Sequence, residues 1–344
     1  MKDLPEILKK TNASFANVKD DYEENLDLIK SISTIEDLSK INDKDKLNSR
    51  LLNYNHKSVE GKIGLERILG KNNLMDISFF QKGLKISKTV CRMVYFIGEE
   101  INPLGTGFLI GEKLLMTNNH VIENQTNAKR IFAQFDYEKN ENGTIRETVL
   151  FKLDPQTFFI TNKELDYTVV ALEPIGINNP KIKLEVYGWN KLSSSTYKPF
   201  KGEHVSIIQH PKGLPKMIAM RDNIITAINE NLIHYTTDTQ QGSSGSLVAN
   251  DQWEIIALHR EGVPKTDKDG NILLDKGGIW RSRADNPFII WIANQGVLID
   301  SILTNIKIKQ VSEKQKKIKN KILENFNPDS NQVEFKLPER RKKF

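Results

Sequence analysis

Cysteine is almost absent: Cys91 is the only one in 344 residues. That excludes an intrachain disulfide and a cysteine-based zinc cage, and it suits a reducing, cytoplasmic compartment. Long apolar runs are missing as well. No window holds about 18 uncharged apolar residues, so no membrane-spanning helix and no membrane partner are expected. The first residues, MKDLPEILKKTNASF, contain acids and no apolar h-region, so no secretory signal is expected. A basic body is also missing. The net charge is +6, yet residues 305–344 alone carry 12 Lys and Arg against 5 Asp and Glu. The remainder is close to neutral, which argues against nucleic-acid binding except through the tail. His56, His204, His210 and His234 show no metal-ligand spacing with one another, so no metal and no cofactor are expected. A 38% hydrophobic content is enough for a packed core and excludes a wholly disordered chain.

Three regions follow from the texture. Residues 1–75 read as helical. Val18, Tyr22, Leu26, Ile29 and Ile32 fall on one helical face, with Asp20, Asp21, Glu23, Glu24 and Asp27 opposite. Ser33 with Glu36 has capping-box spacing and opens a further helix toward Leu51. This region is either a small bundle packed on its neighbour or an adaptor that docks a regulatory protein partner. Residues 76–303 turn to short strands, among them 90–96, 105–111, 113–118, 148–153, 167–172, 204–210, 216–220, 232–237 and 253–258, separated by Gly, Asn, Asp and Pro clusters. Many short strands over about 200 residues predict a mainly β sandwich or barrel. Cys91 lies in the first of them and is expected to be buried and inert. The run 286–303 returns to helical spacing. In residues 304–344, Ile308, Val311, Ile318 and Ile322 predict an amphipathic helix among lysines, and the end, PERRKKF, reads as disordered.

Three short segments carry chemistry together. Thr117-Asn118-Asn119-His120-Val121-Ile122 follows a strand, and a histidine there can reach a neighbouring nucleophile. Leu165-Asp166-Tyr167 opens an apolar strand with a carboxylate that can accept an imidazole N–H and fix its tautomer. Gln241-Gly242-Ser243-Ser244-Gly245-Ser246 sets glycines around a serine, so that the N–H groups of Gly242 and Ser244 can form an oxyanion hole. Alone, each has an ordinary reading: a surface histidine, a turn aspartate, a flexible linker. The linker reading is weakened by the strand-like segments on both sides.

In this order and with these neighbours, the segments resemble the chymotrypsin-like serine peptidases, closest to bacterial trypsin-like peptidases of the glutamyl endopeptidase kind. GTGFLI and LLMTNNHVI are similar to that family's glycine strand and histidine motif, LDYTVVAL to its aspartate motif, and QGSSGSLV to its serine motif, with Leu247 where proline is usual. The likeness covers about 90–300. Residues 65–84 and 204–216 also resemble intracellular bacterial relatives tied to defence systems. The resemblance implies a double six-stranded β-barrel and a serine endopeptidase acting on protein or peptide substrates. In it His120, Asp166 and Ser244 form the triad, and Gly242 and Ser244 the oxyanion hole. It also implies a specificity pocket near Asp238, Thr239 and His259. Thr239 and His259 fit an acid-selective pocket, whereas Asp238 has the spacing of a Lys- or Arg-binding carboxylate, so the charge preference stays open. Ser243 stands where many secreted relatives carry the aspartate that pairs with a newly freed N-terminus, so that switch is not expected and control by the N-terminal region or a partner is. The competing reading is an inactive barrel that binds peptide as a scaffold.

Overall fold

A computed structural model describes residues 4–32, 34–44, 75–192, 198–220, 223–236, 242–281, 286 and 288–324. Three helices, α1 (Leu4–Ala16), α2 (Lys19–Ser31) and α3 (Ile35–Ile41), come first. The expected face of α2 is the packed one. Val18 and Tyr22 are buried with Phe15 against Ala227, Val263 and Ala293, and Tyr22 donates its hydroxyl to Ile292 O at 2.8 Å. The cap of α3 differs from expectation. Thr34 Oγ1 accepts from Asp37 N at 3.1 Å, and Asp37 Oδ2 accepts from Thr34 N at 3.0 Å. The same three-residue spacing is thus used one position later, with aspartate in place of glutamate. Ser33 lies outside the described residues, and α3 stops at Ile41, with Asn42 extended, well short of the expected Leu51; residues 45–51 lie outside the described residues.

Helix α4 (Ser78–Ser87) leads into the first barrel. Its strands are β1 (Val90–Ile97), β2 (Glu100–Gly111), β3 (Leu114–Thr117), β4 (Ile131–Phe135), β5 (Val149–Asn162) and β6 (Tyr167–Leu172), closed in the order β1-β2-β3-β6-β5-β4. A short helix α5 (Gln125–Ala128) lies between β3 and β4. Alternate residues fill the interior, including Met93, Leu109, Leu115, Phe135 and Phe151. Cys91 is buried there, and burial pushes its thiol well above the ordinary range, so it is inert.

The second sheet holds β7 (Val205–Gln209), β8 (Met217–Ala219), β9 (Ile225–Ile228), β10 (Leu232–Tyr235), β11 (Leu247–Asn250), β12 (Ile255–Pro264) and β13 (Trp291–Leu298), ordered β8-β7-β11-β12-β13-β10-β9. It curls back on itself. Val205 N donates to Asn223 O and Ile225 N to Glu203 O, each at 2.9 Å, so the start of β9 returns to β7. β8 and β9 thereby act as two parts of one strand, and the sheet makes a second barrel. Val205, Ile207, Ile233, Tyr235 and Val248 fill it.

The run 286–303 is a correction. It forms strand β13, and helix begins only with α6 (Ile299–Ile308). β13 lies between β12 and β10 and is buried along its middle. A strand covered on both sides loses the two-residue alternation that would identify it. The tail follows as α7 (Glu313–Ile322), with Ile322 buried and Val311 and Ile318 half-buried against the core between the barrels. Ile308 does not join that face; it is 73% exposed at the end of α6. The terminal PERRKKF lies outside the described residues. No described helix is long and apolar enough to cross a membrane.

Candidate active site

The turn after β3 presents His120. Val121 and Ile122 anchor it in the first barrel's core, and Thr168 Oγ1 donates to Ile122 O at 2.7 Å. Asp166 ends the turn from β5 to β6, where Asn162 Oδ1 accepts from Glu164 N and Leu165 N at 2.9 Å. Asp166 has φ 50°, a left-handed conformation that aspartate tolerates better than most side chains. Asn118 Nδ2 donates to Asp166 O at 2.8 Å, which ties the two turns together.

Both carboxylate oxygens of Asp166 face His120. Oδ1 accepts the main-chain N–H of His120 at 3.0 Å, and Oδ2 meets Nδ1 at 2.8 Å. An ionised carboxylate only accepts, so Nδ1 carries the proton and Nε2 keeps a lone pair. Burial pulls the imidazole's pKa down, but the charge and hydrogen bond of Asp166, aided by the nearby Glu261, outweigh it, and the net shift is upward.

Ser244 comes from the second barrel. Its loop is stapled to the first by Thr106 on β2: Thr106 N donates to Ser244 O at 2.8 Å and Thr106 Oγ1 to Gly242 O at 2.9 Å. Gly105, next to it, lies against both sides of the site. A Cβ there would meet Val121 Cγ2 at 2.8 Å and Ser244 O at 2.9 Å. The glycines that bracket Ser244 are required. Gly242 has φ +96° and Gly245 φ +86°, and a Cβ on Gly245 would meet Thr106 O at 2.1 Å. Gly245→Ala is therefore expected to lower Tm by several degrees, a strain of about 1–3 kcal/mol, in a thermal melt against wild type. Among the described residues, the N–H groups of Gly242 and Ser244 make no hydrogen bond, and none joins Ser244 Oγ to His120. In enzymes without bound substrate that last contact is commonly long and tightens on binding.

His259 on β12 is buried, with Nδ1 2.7 Å from the hydroxyl of Tyr235. Burial, helped by the charge of His120, pushes its pKa down to about 3, so it is neutral. Asp238 and Thr239 lie outside the described residues. Two features of the site escape the sequence reading. One is Arg260, directly after His259. The other is α1: Ile7 and Lys10 line the same cavity, about 390 Å³, as His120, Asp166, Arg260 and Lys163. Nothing in a helical period says which surface the helix will cover.

Two barrels, with histidine and aspartate turns on one and a glycine-bracketed serine loop on the other, make up the chymotrypsin-like architecture. Residues 105–258 match the family model of the trypsin-like peptidase domain. Over those residues the chain is similar to the chymotrypsin-like serine peptidases. It is also similar to a protein of Sinorhizobium fredii (strain NBRC 101917 / NGR234), named there as the uncharacterized protein y4fB, at 34% identity over 259 residues. That alignment takes in 70% of this chain and 39% of the relative, so the chain spans about two fifths of the relative's length.

Proposed function

We propose that the protein is an active serine endopeptidase, with residues 76–303 as the peptidase region. Ser244 Oγ attacks a peptide carbonyl while His120 Nε2 takes its proton, later handing it to the leaving amine. Asp166 holds the ring and stabilises the imidazolium. The N–H groups of Gly242 and Ser244 bind the oxyanion. The observation that carries this reading is the two-point grip of Asp166 on His120, which leaves Nε2 as the base. His259 is assigned to the specificity pocket with Asp238 and Thr239. A neutral His259 offers a hydrogen bond rather than a positive charge, so an acidic side chain would be read through neutral donors. The single buried cysteine suits a cytoplasmic setting. A fluorophosphonate probe tests the reading: wild type is labelled and Ser244→Ala is not. No labelling of wild type under any condition would favour the peptide-binding scaffold.

Residues 1–75 are proposed as a regulatory region. Helix α1 borders the His120 cavity and is held by buried Leu8, which packs with Leu274 and Ile289, and by Phe15 against His234 at 5.3 Å. That cavity is on the histidine and aspartate side of the site, and the helix there is proposed to control access to the catalytic groove. Leu8→Ala removes about 2–4 kcal/mol of docking energy and is expected to speed probe labelling several-fold. An unchanged labelling rate in a folded variant removes α1 as a gate.

A further inference from the structure

The histidine, aspartate and serine motifs leave Arg260 unexplained. It is buried, 7% exposed, yet its charge sits beside Asp166. Its Nε lies 3.5 Å from Asp166 Oδ2, the same oxygen that meets His120 Nδ1. That Nε has no hydrogen-bond partner among the described residues. A buried guanidinium is tolerated only next to a counter-charge, and Asp166 supplies it. Arg260 is kept from swinging away by Gln295, whose Oε1 accepts from Nη1 at 3.2 Å. Gln295 Nε2 is in turn 2.9 Å from His234 Nε2 and 3.4 Å from Ser14 Oγ on α1.

We propose that Arg260 is a positioning residue acting through Asp166: its guanidinium draws on the carboxylate oxygen that holds His120, and so limits how strongly that carboxylate holds a proton on the imidazole. The proposal rests on the peptidase reading, because it concerns the base of that reaction. The physics is a balance of charges around one ring. From the β5–β6 turn, Asp166 makes His120 more basic. From β12, Glu261 acts in the same direction and Arg260 opposes both, while His259, neutral beside the ring, adds no charge of its own. Lys10 of α1, Lys163 and Glu123 line the same cavity, two cations and one anion. Asp166 and Glu261 alone would hold a proton on His120 to higher pH, and a protonated imidazole accepts nothing from Ser244. Arg260 offsets part of that pull at a site where water screens little.

The test is an NMR titration of the His120 ring in the full chain, assigned by its loss in His120→Ala, combined with the pH dependence of fluorophosphonate labelling. Arg260→Met is expected to move both midpoints upward by about half a pH unit or more, with labelling slowed at neutral pH and recovering at alkaline pH. Arg260→Lys is expected to restore most of the wild-type profile, which a purely structural role would not require. If Arg260→Met does not fold, Arg260→Gln makes the same comparison with a planar donor and no charge. Coincident titrations in wild type and the uncharged variant overturn the proposal, whatever the labelling shows. An upward shift without any labelling supports the action of Arg260 on His120 and rejects the peptidase reading instead.

Discussion

Replacing Ser244 with alanine is expected to lower kcat/KM on a cleaved peptide by about a million-fold, some 8 kcal/mol of transition-state stabilisation, with Tm unchanged. The two halves of that expectation have separate causes. Turnover falls because no other group in the site can form the acyl bond, and His120 then has no hydroxyl to deprotonate. Stability holds because the loop is fastened by its main chain, not by the serine side chain. Thr106 N donates to Ser244 O at 2.8 Å, Gly245 N to His259 O at 3.0 Å and Ser246 N to Ser243 O at 3.0 Å. The residual rate should still exceed that in water by about a thousand-fold or more, since the variant keeps the main-chain N–H groups proposed to bind the oxyanion. A loss of less than ten-fold in the purified variant would remove Ser244 as the nucleophile.

Most of the strands were legible in the sequence because they are short apolar runs cut off by turn residues; β6, β7, β10 and β11 are buried at every position. β7 and β6 stand out as short apolar runs between turn residues, and their ends fall within a residue or two of the structure. β13 was not legible because buried Asn294, Gln295 and Gly296 interrupt its apolar run and α6 follows it at once, so that strand and helix read together as one helical pattern. β4 and β9 are short strands whose identity comes from their partners, Arg92–Tyr95 for β4 and Ile233–Tyr235 for β9. Such pairing is set by contacts far along the chain, and a local pattern does not contain it.

The site divides in the same way. His120, Asp166 and Ser244 lie in short segments whose glycines, turn residues and strand edges are local, so their motifs can be read one at a time. The structure brings His120 and Asp166 into contact across 46 positions. Arg260 was invisible because its meaning is entirely tertiary. In the sequence it is a charged residue between a histidine and a glutamate, the ordinary dress of a surface strand. Only the fold shows it buried next to a carboxylate. The burial of α1 beside His120 is hidden likewise, since amphipathic spacing reports that a face is covered and not by what.

The second large effect is expected from Asp166→Asn, a loss of about 10,000-fold in kcat with the fold retained. The outcome depends on which end of the new amide faces the ring. The main-chain N–H of His120 donates to Oδ1 at 3.0 Å and requires an acceptor, so the amide oxygen stays there. The amide NH2 then faces Nδ1, which must become the acceptor, and the imidazole proton moves to Nε2. The base that should take the proton of Ser244 is now a donor. The pH dependence changes with it. In wild type the folded pKa of His120 is raised, because Asp166 outweighs burial. That pairing therefore contributes stability that is fully present below the ordinary imidazole pKa of about 6.5 and is lost as pH rises through the higher folded value. In Asp166→Asn burial and the charge of Arg260 face only Glu261 as a counterweight, the folded pKa is expected to fall below the unfolded one, and the contribution of His120 is instead lost as pH falls. Melting curves of both proteins between about pH 5 and 8 should thus change with pH in opposite directions where His120 dominates, and the acid limb of the remaining activity should move to lower pH. Parallel pH profiles of Tm, together with a kcat loss under ten-fold, would show that the carboxylate neither orients nor charges the ring.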